Sequence, residues 1–113
     1  MDNQLVKTFK ALGDNNRLNI LAMLLHEPLF VCEISRMLQL AFSTTSQHLT
    51  ILRNAGFIID TKEGKWVKCD IDLHSPNPYA RSLINLLQQW LDDGNDFQQG
   101  IDSILLNRPK KLC

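Results

Sequence analysis

The run from Val31 to Gly56, read on into Gly64-Lys65-Trp66-Val67, constrains the fold more than any other part of the chain. Val31, Ile34 and Leu38 recur at helical spacing, Gln39-Leu40-Ala41-Phe42 interrupts the pattern as a turn, and Thr45, Leu49 and Leu52 restart it on a second helix. Ser43 or Thr44 supplies an N-cap there, and the order Thr44-Thr45-Ser46-Gln47 matches a capping box. Gly56 stops this helix. Phe57-Ile58-Ile59-Asp60-Thr61-Lys62 predicts a strand, Glu63-Gly64-Lys65 a turn, and Trp66-Val67-Lys68-Cys69-Asp70-Ile71 a second strand.

The flanking segments complete the plan. Leu5, Phe9 and Leu12 predict a first helix ending near Gly13, and Asp14-Asn15-Asn16 offers a new N-cap. The second helix, about 16 to 26, is apolar on so much of its surface that it must be central, and Pro28 bars its continuation. After the Ser75-Pro76-Asn77-Pro78 break, a helix over about 79–92 carries Leu83, Leu86, Leu87, Trp90 and Leu91, an arc too wide for one-sided packing. Gly94 separates a last, acidic helix with Ile101, Ile104 and Leu105, and Pro109 precedes the tail Lys110-Lys111-Leu112-Cys113. With 113 residues, 44% of them hydrophobic, the chain holds one core, hence a single domain over 1–113. The class is mainly α with a small β-hairpin: a winged helix-turn-helix of five to six helices and a two-stranded wing. The surplus apolar arc of the fifth helix is best hidden against a second copy, which gives a homodimer.

No stretch approaches the roughly 18 apolar residues of a membrane span, and the N-terminus lacks a basic start followed by an apolar run, so the expected location is the cytoplasm, with no membrane partner. Three cysteines at irregular spacing argue against a disulfide framework. Any chemistry they perform is metal, metalloid or redox chemistry. Cys69, on the inward side of its strand with Val67 and Ile71, reads as a small buried residue rather than a ligand.

Function is written on the fourth helix. With Thr45, Leu49 and Leu52 turned inward, Thr44, Gln47, His48, Ile51 and Asn54 fall on the other side, with Thr50 at its edge. Small hydroxyls and amides near a helix N-terminus fit the major groove of double-stranded DNA, where they meet base edges while backbone N–H groups engage phosphate. Thr44, Gln47 and His48 are placed nearest the bases and Ser43 nearest a phosphate; Arg53, Lys62 and Lys65 are placed on the DNA backbone. The formal net charge is zero, but its distribution is uneven. Residues 43–68 carry Arg53, Lys62, Lys65 and Lys68 against Asp60 and Glu63, whereas 70–102 carry six aspartates against Arg81. A homodimer with this face would read an operator of two-fold symmetry.

Other classes find less support. Cys32, Glu33 and His48 could be offered as nucleophile and base, but no oxyanion-hole loop, phosphate cradle or paired acid/base set accompanies them, so no catalytic residue is assigned. His26, His48 and His74 lack metal-ligand spacing, and residues 79–93 hold no histidine. A winged helix devoted to protein contacts would show an acidic or apolar outer face on the fourth helix, and this one is polar.

The chain resembles the ArsR/SmtB family of small winged-helix repressors, in particular its arsenic-responsive branch. The residues that carry the likeness are Leu5 to Asp14 with Arg17-Leu18 and Ile20-Leu21, then Ser46-Gln47-His48-Leu49, Leu52-Arg53 and Ala55-Gly56, then Gly64-Lys65-Trp66-Val67. The resemblance implies a homodimer built from the first and fifth helices, operator binding that blocks transcription, and release by an inducer. Arsenic-responsive relatives carry Glu-Leu-Cys-Val-Cys-Asp-Leu on the third helix, suited to soft trivalent arsenic. Here the run is Pro28-Leu29-Phe30-Val31-Cys32-Glu33-Ile34, with Phe30 in place of the first cysteine, Cys32 keeping the second, and Ser35 where some relatives have a further thiol. Cys32 with the tail's Cys113 would suffice for a trivalent organoarsenical such as methylarsenite. No cofactor is required. The alternatives are a Cys32–Cys113 oxidant switch and repression without a ligand.

Overall fold

The computed structural model describes residues 3–94, 96–106 and 108. Six helices and three strands follow one another among these residues: α1 (Asn3–Leu12), α2 (Asn15–His26), β1 (Leu29–Phe30), α3 (Val31–Leu38), α4 (Phe42–Asn54), β2 (Ile58–Glu63), β3 (Trp66–Ile71), α5 (Pro78–Asp92) and α6 (Asp96–Leu105).

Helix α2 is the axis. Asp14 caps it by accepting a hydrogen bond from the Arg17 N–H at 3.1 Å, and Ile20 through Leu24 are all buried, so it is enclosed on every side as its apolar content requires. Ile34 and Met37 of α3, Leu49 and Leu52 of α4, Phe57, Ile58, Cys69 and Ile71 of the hairpin region, and Ala80, Ile84 and Leu87 of α5 close the core around it.

The sheet is larger than the expected two-stranded wing. Leu29 and Phe30 pair with Cys69 and Lys68, giving three antiparallel strands in the order β1-β3-β2. A strand of two residues has no period to read, and only the partner strand reveals it. The wing is closed by Gly64-Lys65 between the paired residues Glu63 and Trp66, with Gly64 at φ 62° in the first central position of a two-residue turn, a place that suits glycine.

Two joints set the position of α4. On its N-terminal side, Gln39 adopts the left-handed conformation (φ 56°), and the Ser35 hydroxyl donates to the Leu40 carbonyl at 2.7 Å while the Leu40 N–H donates to the Ser35 carbonyl at 3.0 Å. Ser35 is thus a structural member of the helix-helix turn. On the C-terminal side, buried Asn77 donates through Nδ2 to Thr8 Oγ1 on α1 (2.9 Å) and to the Ala55 carbonyl just after α4 (2.7 Å), and its Oδ1 caps α5 at Tyr79 N (3.1 Å). Gly56 is required beside it twice over: its φ is 87°, and a Cβ there would stand 2.6 Å from Ser75 Oγ.

The expected cap of α4 is corrected. The helix begins at Phe42 with Ala41 as its N-cap and no side-chain cap bond, which places Ser43 and Thr44 inside the first turn. The tight Ser35–Leu40 closure leaves the chain to enter the helix earlier than the hydroxyls alone suggest.

Candidate nucleic-acid interface

Helix α4 turns its side chains in three directions. Thr45, Leu49 and Leu52 are buried, as expected, while Ser43, Gln47, Thr50, Ile51 and Asn54 are exposed and lie opposite that buried set at helical spacing. Ser43 and Gln47 therefore share one surface. The two other residues placed nearest the bases sit toward a flank: Thr44 is half-buried, and the His48 side chain is only 14% exposed.

His48 differs most from its expected place. Its Nδ1 lies 3.2 Å from Arg17 Nη1 and 3.9 Å from Asp14 Oδ1, at the N-terminus of α2. Arg17 can only donate, so the contact is a hydrogen bond when Nδ1 of the ring is unprotonated. The same guanidinium donates through Nε to the Ala11 carbonyl at 2.6 Å and through Nη2 to the Lys10 carbonyl at 3.2 Å, capping the C-terminus of α1. Arg17 therefore ties α1 and α2 to the reading helix, a role that sequence reasoning missed because the contact spans 31 positions. For Asp14, burial acts to raise the carboxyl pKa, but the Arg17 N–H, the His48 and Arg17 charges and the Asn16 N–H together outweigh it, and the group lies below its usual 3.8.

On the opposite flank, Arg53 pairs with Asp60 at 2.5 Å, locking the end of α4 to β2. Before reaching a phosphate, this arginine must share itself with a carboxylate. Lys62 and Lys65 are exposed on the wing, with the Lys65 ammonium 5.2 Å from the centre of the Trp66 ring. The seven expected DNA contacts thus divide into an outward pair (Ser43, Gln47), the half-buried Thr44, the α2-facing His48, a clamped arginine and two wing lysines.

Cys32 is half-buried near the start of α3 and lines a hollow of about 420 Å³ between α3, α4 and the wing, with Phe30, Phe42, Leu49 and Trp66 among its walls. Glu33 beside it accepts from the Phe30 N–H at 3.0 Å and from Arg108 Nε at 3.3 Å. Cys69 is fully buried, and its thiol pKa is pushed up to about 12, first by burial and then by the Asp60 charge and hydrogen bond at 3.4 Å, against a smaller opposing effect of Arg53. It stays protonated and inert. The other expected thiol, Cys113, lies outside the described residues. Among those described, no three His, Cys, Asp or Glu side chains are grouped to hold a metal ion, so a three-sulfur arsenite site is not built there. Nor is any described helix long and apolar enough to cross a membrane.

Comparison with known proteins follows the same lines. The model of the family described as "Bacterial regulatory protein, arsR family" matches residues 14–60. The arsenical resistance operon repressor of Escherichia coli K12 is 32% identical over 110 residues, covering 96% of this chain and 87% of that protein. The solved structure of HlyU from Vibrio cholerae, a protein named a transcriptional activator, matches with a TM-score of 0.66 at 33% identity over 80% of this chain and 97% of its own. The homodimeric winged helix-turn-helix DNA-binding domain Mb0332 of Mycobacterium bovis, titled a possible ArsR-family regulator, matches with a TM-score of 0.66 at 25% identity over 81% of this chain and 82% of that one. With a winged helix-turn-helix architecture and such identity along nearly its whole length, the chain belongs to the ArsR family of bacterial regulatory proteins.

Proposed function

We propose that this regulator is a homodimeric repressor that reads a two-fold-symmetric operator with the outer face of α4 and the wing, and that it lets go when a thiol-reactive inducer meets Cys32. The observation that carries the DNA reading is the face of α4 opposite its buried side, where the polar side chains of Ser43, Gln47 and Asn54 are exposed, beside a wing bearing Lys62 and Lys65. Repression is the reading favoured by the arsenical repressor, whose match runs at 32% identity over 96% of this chain. Gln47 suits the bidentate pairing that reads adenine, while the lysines neutralise phosphate without regard to sequence. Gln47→Ala should accordingly weaken operator binding by about tenfold or more and leave random-sequence binding unchanged, whereas Lys65→Ala should weaken both alike and reduce the salt dependence by about one phosphate contact. Equal losses on operator and random DNA for Gln47→Ala would remove it from base reading.

The inducer reading rests on Cys32, the half-buried thiol of α3 in a hollow whose other walls are the reading helix and the wing. An occupant there would alter the spacing of the two DNA-contacting elements, and it shifts the protein off DNA only by binding the released state more tightly. Fluorescence anisotropy of the preformed protein–DNA complex, titrated separately with methylarsenite and with hydrogen peroxide, tests this. Release of the wild type by near-stoichiometric methylarsenite, lost in Cys32→Ser, is the expected result. Full release of Cys32→Ser would refute the assignment, and release by peroxide alone would replace the arsenical with an oxidant.

A further inference from the structure

Ile51 is out of place for a solvated helix face. It is 41% exposed on α4, beside exposed Gln47 and Thr50 and opposite the buried Thr45, Leu49 and Leu52. The Thr50 hydroxyl is already engaged, donating to the Ser46 carbonyl at 2.9 Å, so the part of Thr50 without a hydrogen-bonding task is its methyl group. Ser46, Gln47, Thr50 and Ile51 together line a shallow hollow of about 440 Å³ with mostly apolar walls. This aliphatic surface lies one helical turn from the glutamine best suited to read a base.

We propose that Ile51, together with the methyl of Thr50, is a specificity-determining surface that recognises the C5-methyl group of a thymine in the operator. The inference rests on the DNA reading given above and names what one part of that face recognises. In the major groove thymine alone presents a methyl group, and an apolar side chain is the complementary reader. A second copy of the chain, or another protein, is the competing occupant, but the hydrogen-bonding residues on the same face and the lysines of the neighbouring wing favour a nucleic-acid surface over an apolar protein one. Gln47 and Ile51 are four residues apart, about 6 Å along the helix axis. Two base steps span a similar length, so the thymine lies within about two base pairs of the adenine read by Gln47.

Uracil differs from thymine only in this methyl, which makes the test direct. The duplex bound most tightly is selected from a randomised pool, each thymine is replaced in turn by deoxyuridine, and dissociation constants are measured for the wild type, Ile51→Ala and Thr50→Ser, the last of which removes the methyl and keeps the hydroxyl. One thymine per half-site should respond, with about fourfold weaker binding by the wild type, the value of burying one methyl group, and about sixteenfold when both half-sites are changed. Ile51→Ala should lose most of the difference between the thymine and uracil duplexes, and Thr50→Ser should lose a smaller part of it. If no thymine responds, or if the responding one does so undiminished in both variants, the proposal is overturned while DNA recognition stands. If no duplex is bound even at low salt, the DNA reading falls and this inference falls with it.

Discussion

Asp14 joins folding to the reading helix at the level of a single side chain. Its carboxylate caps α2 and lies 3.9 Å from His48 on α4, and its pKa is lowered from 3.8 because the capping N–H and the neighbouring cations outweigh burial. A carboxyl with a lowered folded pKa contributes stability that is complete above its unfolded value and disappears as pH falls through the folded one. Asp14→Asn keeps an N-capping side chain but removes the charge. Urea unfolding should therefore find the variant less stable than the wild type at pH 6, with the gap closing below about pH 4 as the wild-type carboxyl protonates. A gap that persists unchanged at pH 3 would show that the charge is not its source. The sequence made Asp14 legible as a cap through its position before an apolar run, whereas its link to His48 was not, because a helical wheel has no knowledge of what faces it. The wheel placed His48 with Gln47; Arg17, brought in from another helix, draws it to the flank. Cys69 was legible as buried from strand alternation alone, and its raised pKa follows from that burial.

At the scale of elements, periodicity carried most of the fold. Helices α1, α4 and α5 follow the 3.6 repeat and β3 the alternation that their sequences display, whereas α2 is apolar nearly all round and β2 buries only Ile58 of its six residues. What periodicity could not supply were the short pieces and junctions: β1, two residues long, and the start of α4, where Ala41 rather than Ser43 or Thr44 stands at the cap. These are decided by pairing with β3 and by the Ser35–Leu40 closure, which are contacts between segments. The same closure holds Gln39 at φ 56°, a left-handed conformation that a residue with a Cβ adopts at a cost of roughly 1–2 kcal/mol, against the smaller entropic cost of about 0.5–1 kcal/mol that glycine brings. Gln39 is exposed, so Gln39→Gly sacrifices no core packing. The substitution should stabilise the fold by roughly 0.5–1 kcal/mol, read as a higher urea midpoint at unchanged slope. A lower midpoint would mean that the glutamine side chain contributes more than its backbone costs.

At the scale of the whole molecule, α1 and α5 both leave large apolar side chains exposed. Val6 and Phe9 on α1 are 37% and 55% exposed, and Leu86 and Trp90 on α5 are 40% and 45% exposed. The half-buried Leu83 continues the α5 stripe at spacings of three and four residues. That arc was legible as an excess of apolar residues on the fifth helix, and α1 and α5 are the helices that the family resemblance assigns to the proposed dimer. Both are fastened to the reading helix by Asn77, through Thr8 and the Ala55 carbonyl, an arrangement hidden in the sequence as an ordinary Ser-Pro-Asn-Pro break. In the proposed dimer, the face on α1 and α5 is joined to α4 by buried hydrogen bonds rather than by loose linkers. A charge placed on the stripe should separate the two copies and leave each fold intact, since Trp90 lies outside the core. Trp90→Asp is expected to sediment as a monomer at micromolar concentration and to bind a two-half-site operator at least about a hundredfold more weakly, because the second half-site contact is then no longer intramolecular. Its affinity for a single half-site should match that of the wild type. A Trp90→Asp protein that remains dimeric with full operator affinity would move the interface away from α5, whereas a monomer that loses half-site binding as well would mean that the association orders α4 itself through Asn77.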